Sequence, residues 1–422
     1  MPDASSIETR ETRSYDSPAR EAAGLLLRIG FGLIVLVAPV AAVYSRRSFA
    51  VLVPIGSFLI IVSALVLSGE GFFRRVRAMF SAPLGLVALL LALWLMLSLV
   101  WTPFPASAAE RAARSLGNGL LALAVAAALP ERMRASNLHL MSIGVALATL
   151  ALSITALIAP FSAAAVNDPE APTFGRAAVA ANVMVWPAVA WTFMRARHWQ
   201  GIALIVVSAL ATASSGSLDA AVSLVAALLV FLAARANAPL TGRTMAIATA
   251  TATVLAPLVA IGARTLRQSL ALAPENLISQ IGLWADEFLK EPARLLTGHG
   301  FDATYRAQLA GMINPNGPDG ILPMLWFDLG LPGAVLLAAL LYGAFSALRM
   351  MGQPLAQTGM AVLTAATVFA FLDPTAMQAW WQSVLIVAGM MMVAVHNGQY
   401  RTARPAAAVR APEMPIQNAE RH

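Results

Sequence analysis

The sequence predicts an all-α polytopic membrane bundle of about twelve transmembrane helices with one long loop on its outer side. Two observations predict it. Of 422 residues, 59% are hydrophobic and only 12% are Asp, Glu, Lys or Arg, whereas soluble domains carry about a quarter charged residues. The hydrophobic residues also fall into blocks, most of them of membrane-spanning length, separated by short arginine-bearing stretches. Helices are the expected element because a segment in lipid must pair its own backbone N–H and C=O groups. The same arithmetic excludes other classes. The net charge is +7, but the arginines sit between apolar blocks, which reads as membrane orientation and not as nucleic-acid binding. There is no cysteine, so disulfides, zinc thiolates and thiol nucleophiles are out. Lysine occurs once, at Lys290, among 28 basic residues. With the abundant alanine, this indicates a compositionally biased bacterial genome.

Residues 1–23 are polar and mix both charges, which predicts a disordered tail. The first apolar block has no small-residue cleavage site after it and is expected to stay as a span. The spans are then predicted near 24–44, 51–67, 83–100, 116–129, 138–158, 178–194, 201–213, 219–234, 245–262, 322–348, 359–372 and 379–395. Residues 24–262 thus hold spans one to nine, 263–321 the long loop, 322–395 spans ten to twelve, and 396–422 a second disordered tail. With both termini cytoplasmic, seventeen basic residues fall on inside segments and ten outside. Half of those ten lie in the long loop, which the positive-inside rule discounts. Within that loop Leu277, Ile281, Trp284 and Phe288 recur at helical spacing, predicting an amphipathic helix on the outer membrane surface that ends at Pro292. Trp326, Trp380 and Trp381 read as interface anchors in the same way.

Absent motifs narrow the chemistry. The sequence has no GxxxxGK[ST] or GxGxxG cradle, no HExxH and no Asp-x-Asp pair, so ATP, NAD, metal-bound nucleotide sugars and a catalytic metal are not expected; no cofactor is. Charged residues inside the spans are scarce, which demotes ion-coupled transport. His299 is the single histidine on the predicted outer side.

Several stretches together resemble the O-antigen ligase and exopolysaccharide polymerase family. "TGHGFDATYR" followed by "LWFDLGLPGA" is similar to that family's Gly-x-Gly turn and its Gly-Leu-Pro-Gly opening of a late span. "LVWTPFP" with "ERAARSL", "FGRAAVAANVMVWPAVA" and "ATASSGS" resemble three further family segments in the expected order. The resemblance implies a metal-independent glycosyltransferase of the bacterial inner membrane, acting on the periplasmic side. It would move a glycan from undecaprenyl pyrophosphate to a glycan or lipid acceptor, within lipopolysaccharide or exopolysaccharide biosynthesis. Such a donor carries its own activated bond, arginine forks suit the departing pyrophosphate, and a base must take the acceptor proton.

By that resemblance Arg176 matches the family's first essential arginine, Gln280 stands where a second arginine belongs, and Asp319 stands where the catalytic histidine belongs. Candidate catalytic residues are therefore Arg176, Asp319 and His299. Arg264, Arg267 and Arg306 are candidates for the missing cation, beside Gln280. Each has a plainer reading: Arg176 snorkels to head groups, Asp319 belongs to an Asn-Pro-Asn-Gly-Pro-Asp-Gly turn, Asp302 caps its own turn, and the loop arginines are solvated. Two other functions stay open: an inert homologue binding lipid-linked glycan or a polysaccharide assembly complex, and a polyprenyl-glycan flippase.

Overall fold

The computed structural model describes residues 18–45, 47–158, 174–271, 277–313 and 320–398. Among them the chain is all-helical, with one isolated β-bridge between Met133 and Gly398. The helices are α1 (Pro18–Gly32), α2 (Ala38–Tyr44), α3 (Ser48–Ser81), α4 (Pro83–Ser98), α5 (Pro105–Ala128), α6 (Ala135–Ile158), α7 (Phe174–Met194) and α8 (His198–Ser215). They continue as α9 (Leu218–Leu270), α10 (Leu277–Lys290), α11 (Arg294–Thr297), α12 (Ala303–Leu309), α13 (Ile321–Leu348), α14 (Leu355–Leu372) and α15 (Ala379–His396). A π-helical turn, Leu33–Val37, joins α1 to α2, and Pro39 just beyond it accounts for the irregularity by removing one backbone donor.

Eight of these helices are long and apolar enough to cross a membrane, counting α1–α2 as one; α4 is apolar but only 16 residues long. Large apolar side chains stand exposed around the bundle, among them Phe58, Leu93, Leu229 and Leu258. Such a belt marks a membrane protein, because water would not tolerate it. At the centre lies α7, buried on every side from Ala177 to Phe193. A helix apolar all round needs neighbours all round, and α6, α8, α14 and α15 supply them. Its two buried polar residues there have partners: Asn182 Nδ2 donates to the Ala220 carbonyl and Oδ1 accepts from the Ser208 and Thr212 hydroxyls, while the Thr192 hydroxyl donates to the Val189 carbonyl.

Three long helices are broken, α13 at Gly330 and two others. In α9 the break is at Asn237 (φ −151°, ψ 88°). Its Oδ1 accepts the Leu240 N–H at 3.0 Å, and Pro239 follows, so Asn237 caps a new helix. The first half of α9 starts beside Gly175, while the second passes Arg349 at Gly242 and Trp326 at Thr253. In α3 the break is at Ser68 (φ −167°, ψ 78°). Beyond it Arg75 donates to the Ala127 carbonyl at the end of α5.

Three expectations need correction. α5 begins at Pro105, well before the expected 116, so Arg111 and Arg114 are helical and not loop residues. Proline at the first turn and an alanine-rich run are strong helix signals despite low hydrophobicity. The helix expected on the membrane surface exists as α10, but Trp284 and Phe288 are 3% and 4% exposed, packed with Phe327 of α13. Trp326, Trp380 and Trp381 are likewise buried, and Trp326 donates its indole N–H to the Thr253 carbonyl. The predicted tails fall largely outside the described residues.

Candidate functional site

The site is built on a break in α13. Gly330 adopts φ +62° and Pro332 has no N–H, so the carbonyls of Phe327, Asp328 and Leu329 lose their helical donors. The Gly298-His299-Gly300 turn replaces two of them. His299 N–H donates to Phe327 O at 2.8 Å and Gly300 N–H to Asp328 O at 2.9 Å. Trp94 of α4 supplies the third, its indole N–H reaching Leu329 O at 2.9 Å. The contact demands glycine: Gly298 and Gly300 have φ of +73° and +100°, and a Cβ would meet the Asp328 backbone at the first and Thr102 at the second. The stretch after α4 closes over the turn, Ser98 Oγ accepting the Phe301 N–H and Thr102 Oγ1 donating to the Phe301 carbonyl.

The Asp328 carboxylate, buried in the break, caps α12. It accepts the Asp302 N–H at 3.1 Å, the Thr304 N–H at 2.7 Å and the Thr304 hydroxyl at 2.6 Å. The expectation that Asp302 caps its own turn is therefore corrected: with φ +66° its side chain makes no cap. Instead its fully buried carboxylate lies 2.5 Å from Arg111 of α5 and 3.5 Å from Arg306. The Tyr305 ring lies under both guanidiniums, 4.6 Å from Arg111 and 5.7 Å from Arg306. Burial pushes the Asp302 carboxyl up, against the pull of the two arginines.

His299 stacks on Phe327 at 3.9 Å and 7°. Its Nδ1 is 3.1 Å from the Phe327 carbonyl, and since a carbonyl only accepts, Nδ1 carries the proton there. Nε2 faces Glu291 at 3.8 Å. Burial lowers the imidazole from its usual 6.5, outweighing the Phe327 carbonyl and Glu291, which raise it. The folded state therefore binds fewer protons than the unfolded chain just below pH 6.5, so stability of the docked turn falls on acidification through that window. Proteolytic susceptibility of the turn is expected to rise as pH drops below about 6.5 and to lose that dependence in His299→Gln. A flat wild-type profile would refute it. Asp302, with its raised carboxyl, acts in the opposite sense in a more acidic window that begins at its usual 3.8.

The other sequence candidates are placed as follows. Arg176 opens α7, half-buried, with its guanidinium 5.4 Å over the Trp380 ring of α15. Arg264 and Arg267, at the end of α9, both hold Asp286 of α10, at 2.6 and 2.9 Å. Arg306 holds Asp302, as above. Gln280 lies half-buried on α10. Asp319 lies outside the described residues. No family model and no curated protein matches the chain.

Reading the sequence missed Arg111, Arg114, Ser115 and Gln382. A cavity of about 270 Å³ is lined by Leu91, Leu95, Arg111, Ser115, Phe301, Leu325, Asp328, Leu337 and Gln382. A second, of about 160 Å³, is lined by Arg111, Arg114, Ser115, Gln378 and Gln382. Across the seam Asn118 donates to Gln382 Oε1 at 2.7 Å, and Gln382 Nε2 donates to Ser115 Oγ at 3.0 Å. The available signal was the Glu110–Arg114 pair at i, i+4, which marks a helix.

Proposed function

We propose that the chain is a lipid-linked glycan ligase or polymerase of the O-antigen ligase type, transferring a glycan from undecaprenyl pyrophosphate at the periplasmic face of a bacterial inner membrane. One observation carries the reading. Stretches that resemble that family, 199 positions apart where Thr102 meets Phe301, come together at one end of the bundle. The Gly-x-Gly turn sits on the Gly-Leu-Pro-Gly break, the Trp101-Thr102-Pro103 stretch covers it, and α5 contributes Arg111. At α7, Gly175 adjoins Ser217 of the serine-rich stretch, and Arg176 lies on Trp380, next to the start of α15 that borders the smaller cavity.

On this reading the chain crosses the bilayer twelve times, with both termini cytoplasmic. The break at Asn237 divides α9 into two crossings, the break at Ser68 ends the crossing made by the first part of α3, and α4, α5 and α8 add three to the eight long apolar helices, which makes twelve. Residues between α9 and α13 then form the periplasmic loop. Arg176 stabilises charge on the departing pyrophosphate. His299, neutral and with Nε2 free of its own proton, takes the acceptor proton; Asp319 is the alternative base. Arg264 and Arg267 share one carboxylate between them and so retain a net positive charge near Gln280, where the family has arginine.

The inert-homologue reading has its own observation: each candidate substitute for the missing cation already holds a carboxylate. Reconstituted vesicles with lipid-linked glycan and acceptor decide between them. Arg176→Ala is expected to cut transfer at least about 100-fold, the scale of losing one stabilising donor. Transfer undiminished in Arg176→Ala removes the catalytic assignment. Binding without transfer in the wild type selects the inert homologue, and donor movement without bond formation selects a flippase.

A further inference from the structure

The second half of α3 is not used by the proposed transfer. α3 runs for 34 residues, about 50 Å at 1.5 Å per residue, whereas a hydrocarbon core is only about 30 Å thick. Its break at Ser68 falls where one crossing is complete, because Ser48–Leu67 already holds the roughly 20 residues that a crossing needs. Residues 69–81 therefore form a separate helical segment beyond the core, with both ends tied to the membrane. Leu65, Val66 and Leu67 stand exposed just before it, and Leu86 of α4 just after it. Gly85 packs against the Met79 carbonyl and fixes the return. The segment is an elbow at the boundary between apolar core and head groups.

One face of the elbow is taken by the protein. Phe72 is buried in the main core with Val76 and Met79 packed against it. Arg75 donates to the Ala127 carbonyl at 2.7 Å, in the last turn of α5, and lies 3.9 Å from Glu131. The other face carries no protein. Phe73 is 64% exposed, and Arg74, Arg77, Ala78 and Ser81 are exposed at spacings of three and four, which puts them on one side. Neither Arg74 nor Arg77 has an ion-pair partner among the described residues. Arg132 and Arg134, in the same loop as Glu131, are exposed as well. We propose that this face binds the anionic phospholipids of the adjoining leaflet, with Phe73 among the acyl chains and Arg74 and Arg77 on the head-group phosphates. An aromatic ring flanked by arginines, on a helix lying along the boundary, is the pattern that binds such a surface. Each arginine there contributes about fivefold in affinity for anionic lipid. Because Arg75 sits on the same helix and holds a carbonyl of α5, lipid on one face steadies the end of α5 on the other. The site needs the membrane-spanning fold but not the transfer reading. On the orientation proposed above its leaflet is the cytoplasmic one, opposite the glycan donor.

The chain has no cysteine, so Ala78→Cys gives a single labelling position on the exposed face. With a fluorophore there, the full chain is reconstituted in bilayers of phosphatidylcholine and phosphatidylglycerol, one of the two brominated at a time and no polyprenyl lipid present. Quenching then reports which lipid lies beside the label. Phosphatidylglycerol is expected to be enriched at least about fivefold over its bulk share, and to return to that share in Arg74→Gln/Arg77→Gln. Phe73→Ala is expected to weaken quenching by both lipids alike. A label at Ile154→Cys, on the lipid-facing side of α6, is expected to read the bulk share in every variant. No enrichment at Ala78→Cys in the otherwise unaltered chain overturns the proposal, as does enrichment that persists without the two arginines or quenching unchanged in Phe73→Ala. Quenching by neither lipid puts the face in water, where an acidic protein is the remaining occupant, and overturns it too. Arg176→Ala is expected to keep the enrichment. Transfer without enrichment removes this site alone, while enrichment without transfer removes the ligase reading alone.

Discussion

Asp328→Ala is expected to undock α12 and the turn before it. The carboxylate accepts three hydrogen bonds in a buried setting, from two backbone N–H groups and the Thr304 hydroxyl. Each buried donor left without an acceptor costs about 1–3 kcal/mol, so the loss reaches roughly 2 kcal/mol or more even if one of the three finds water. The backbone bonds of His299 and Gly300 to α13 persist, but they then hold a segment whose helix has lost its cap. Limited trypsin digestion reads this directly, because Arg294 and Arg306 flank the turn. Cleavage at both is expected to speed up by at least tenfold in Asp328→Ala, with Asp328→Asn in between, since one amide oxygen still accepts. Digestion of Asp328→Ala at the wild-type rate would show that the cap contributes nothing.

Gly298→Val is expected to disrupt the same junction from the other side. At φ +73° any β-carbon is strained, and here it would also collide with the Asp328 backbone carbonyl. Backbone strain costs about 1–3 kcal/mol and overpacking typically another 1–3 kcal/mol. Gly311 separates the two effects. Its φ is +70° but nothing lies within 4 Å of an added β-carbon, so Gly311→Val pays the strain alone. Thermal inactivation in detergent is expected to show Gly298→Val well below Gly311→Val. Equal losses would mean that the close approach of turn and helix carries no energy.

Much of this molecule is readable along the chain, and what is not readable is long-range. Hydrophobic blocks of the right length announce the helices, and Asn237 followed by Pro239 announces the start of a new one, because capping is local chemistry. The start of α5 escapes a hydrophobicity scan, since alanine, arginine and glutamate form a helix without forming an apolar block. The tryptophans are misplaced for a related reason: an aromatic residue near a span end suits the membrane interface, and only packing reveals that Trp284 and Trp380 face protein. The Gly-x-Gly turn and the Gly-Leu-Pro-Gly opening each signal an irregular backbone. That one supplies the donors the other lacks is a fact about their meeting in space. Arg111 was hidden for the same reason, since its partner Asp302 lies on the far side of the chain.

The break in α13 also bears on how the protein is made. A helix entering lipid must bring its hydrogen bonds with it, and three carbonyls of this one depend on donors from the turn and from α4. Until those donors arrive, the first half of α13 cannot settle at its final depth. Biogenesis of the last three helices is thereby tied to prior folding of the segment that precedes them, so chain order becomes assembly order at this point.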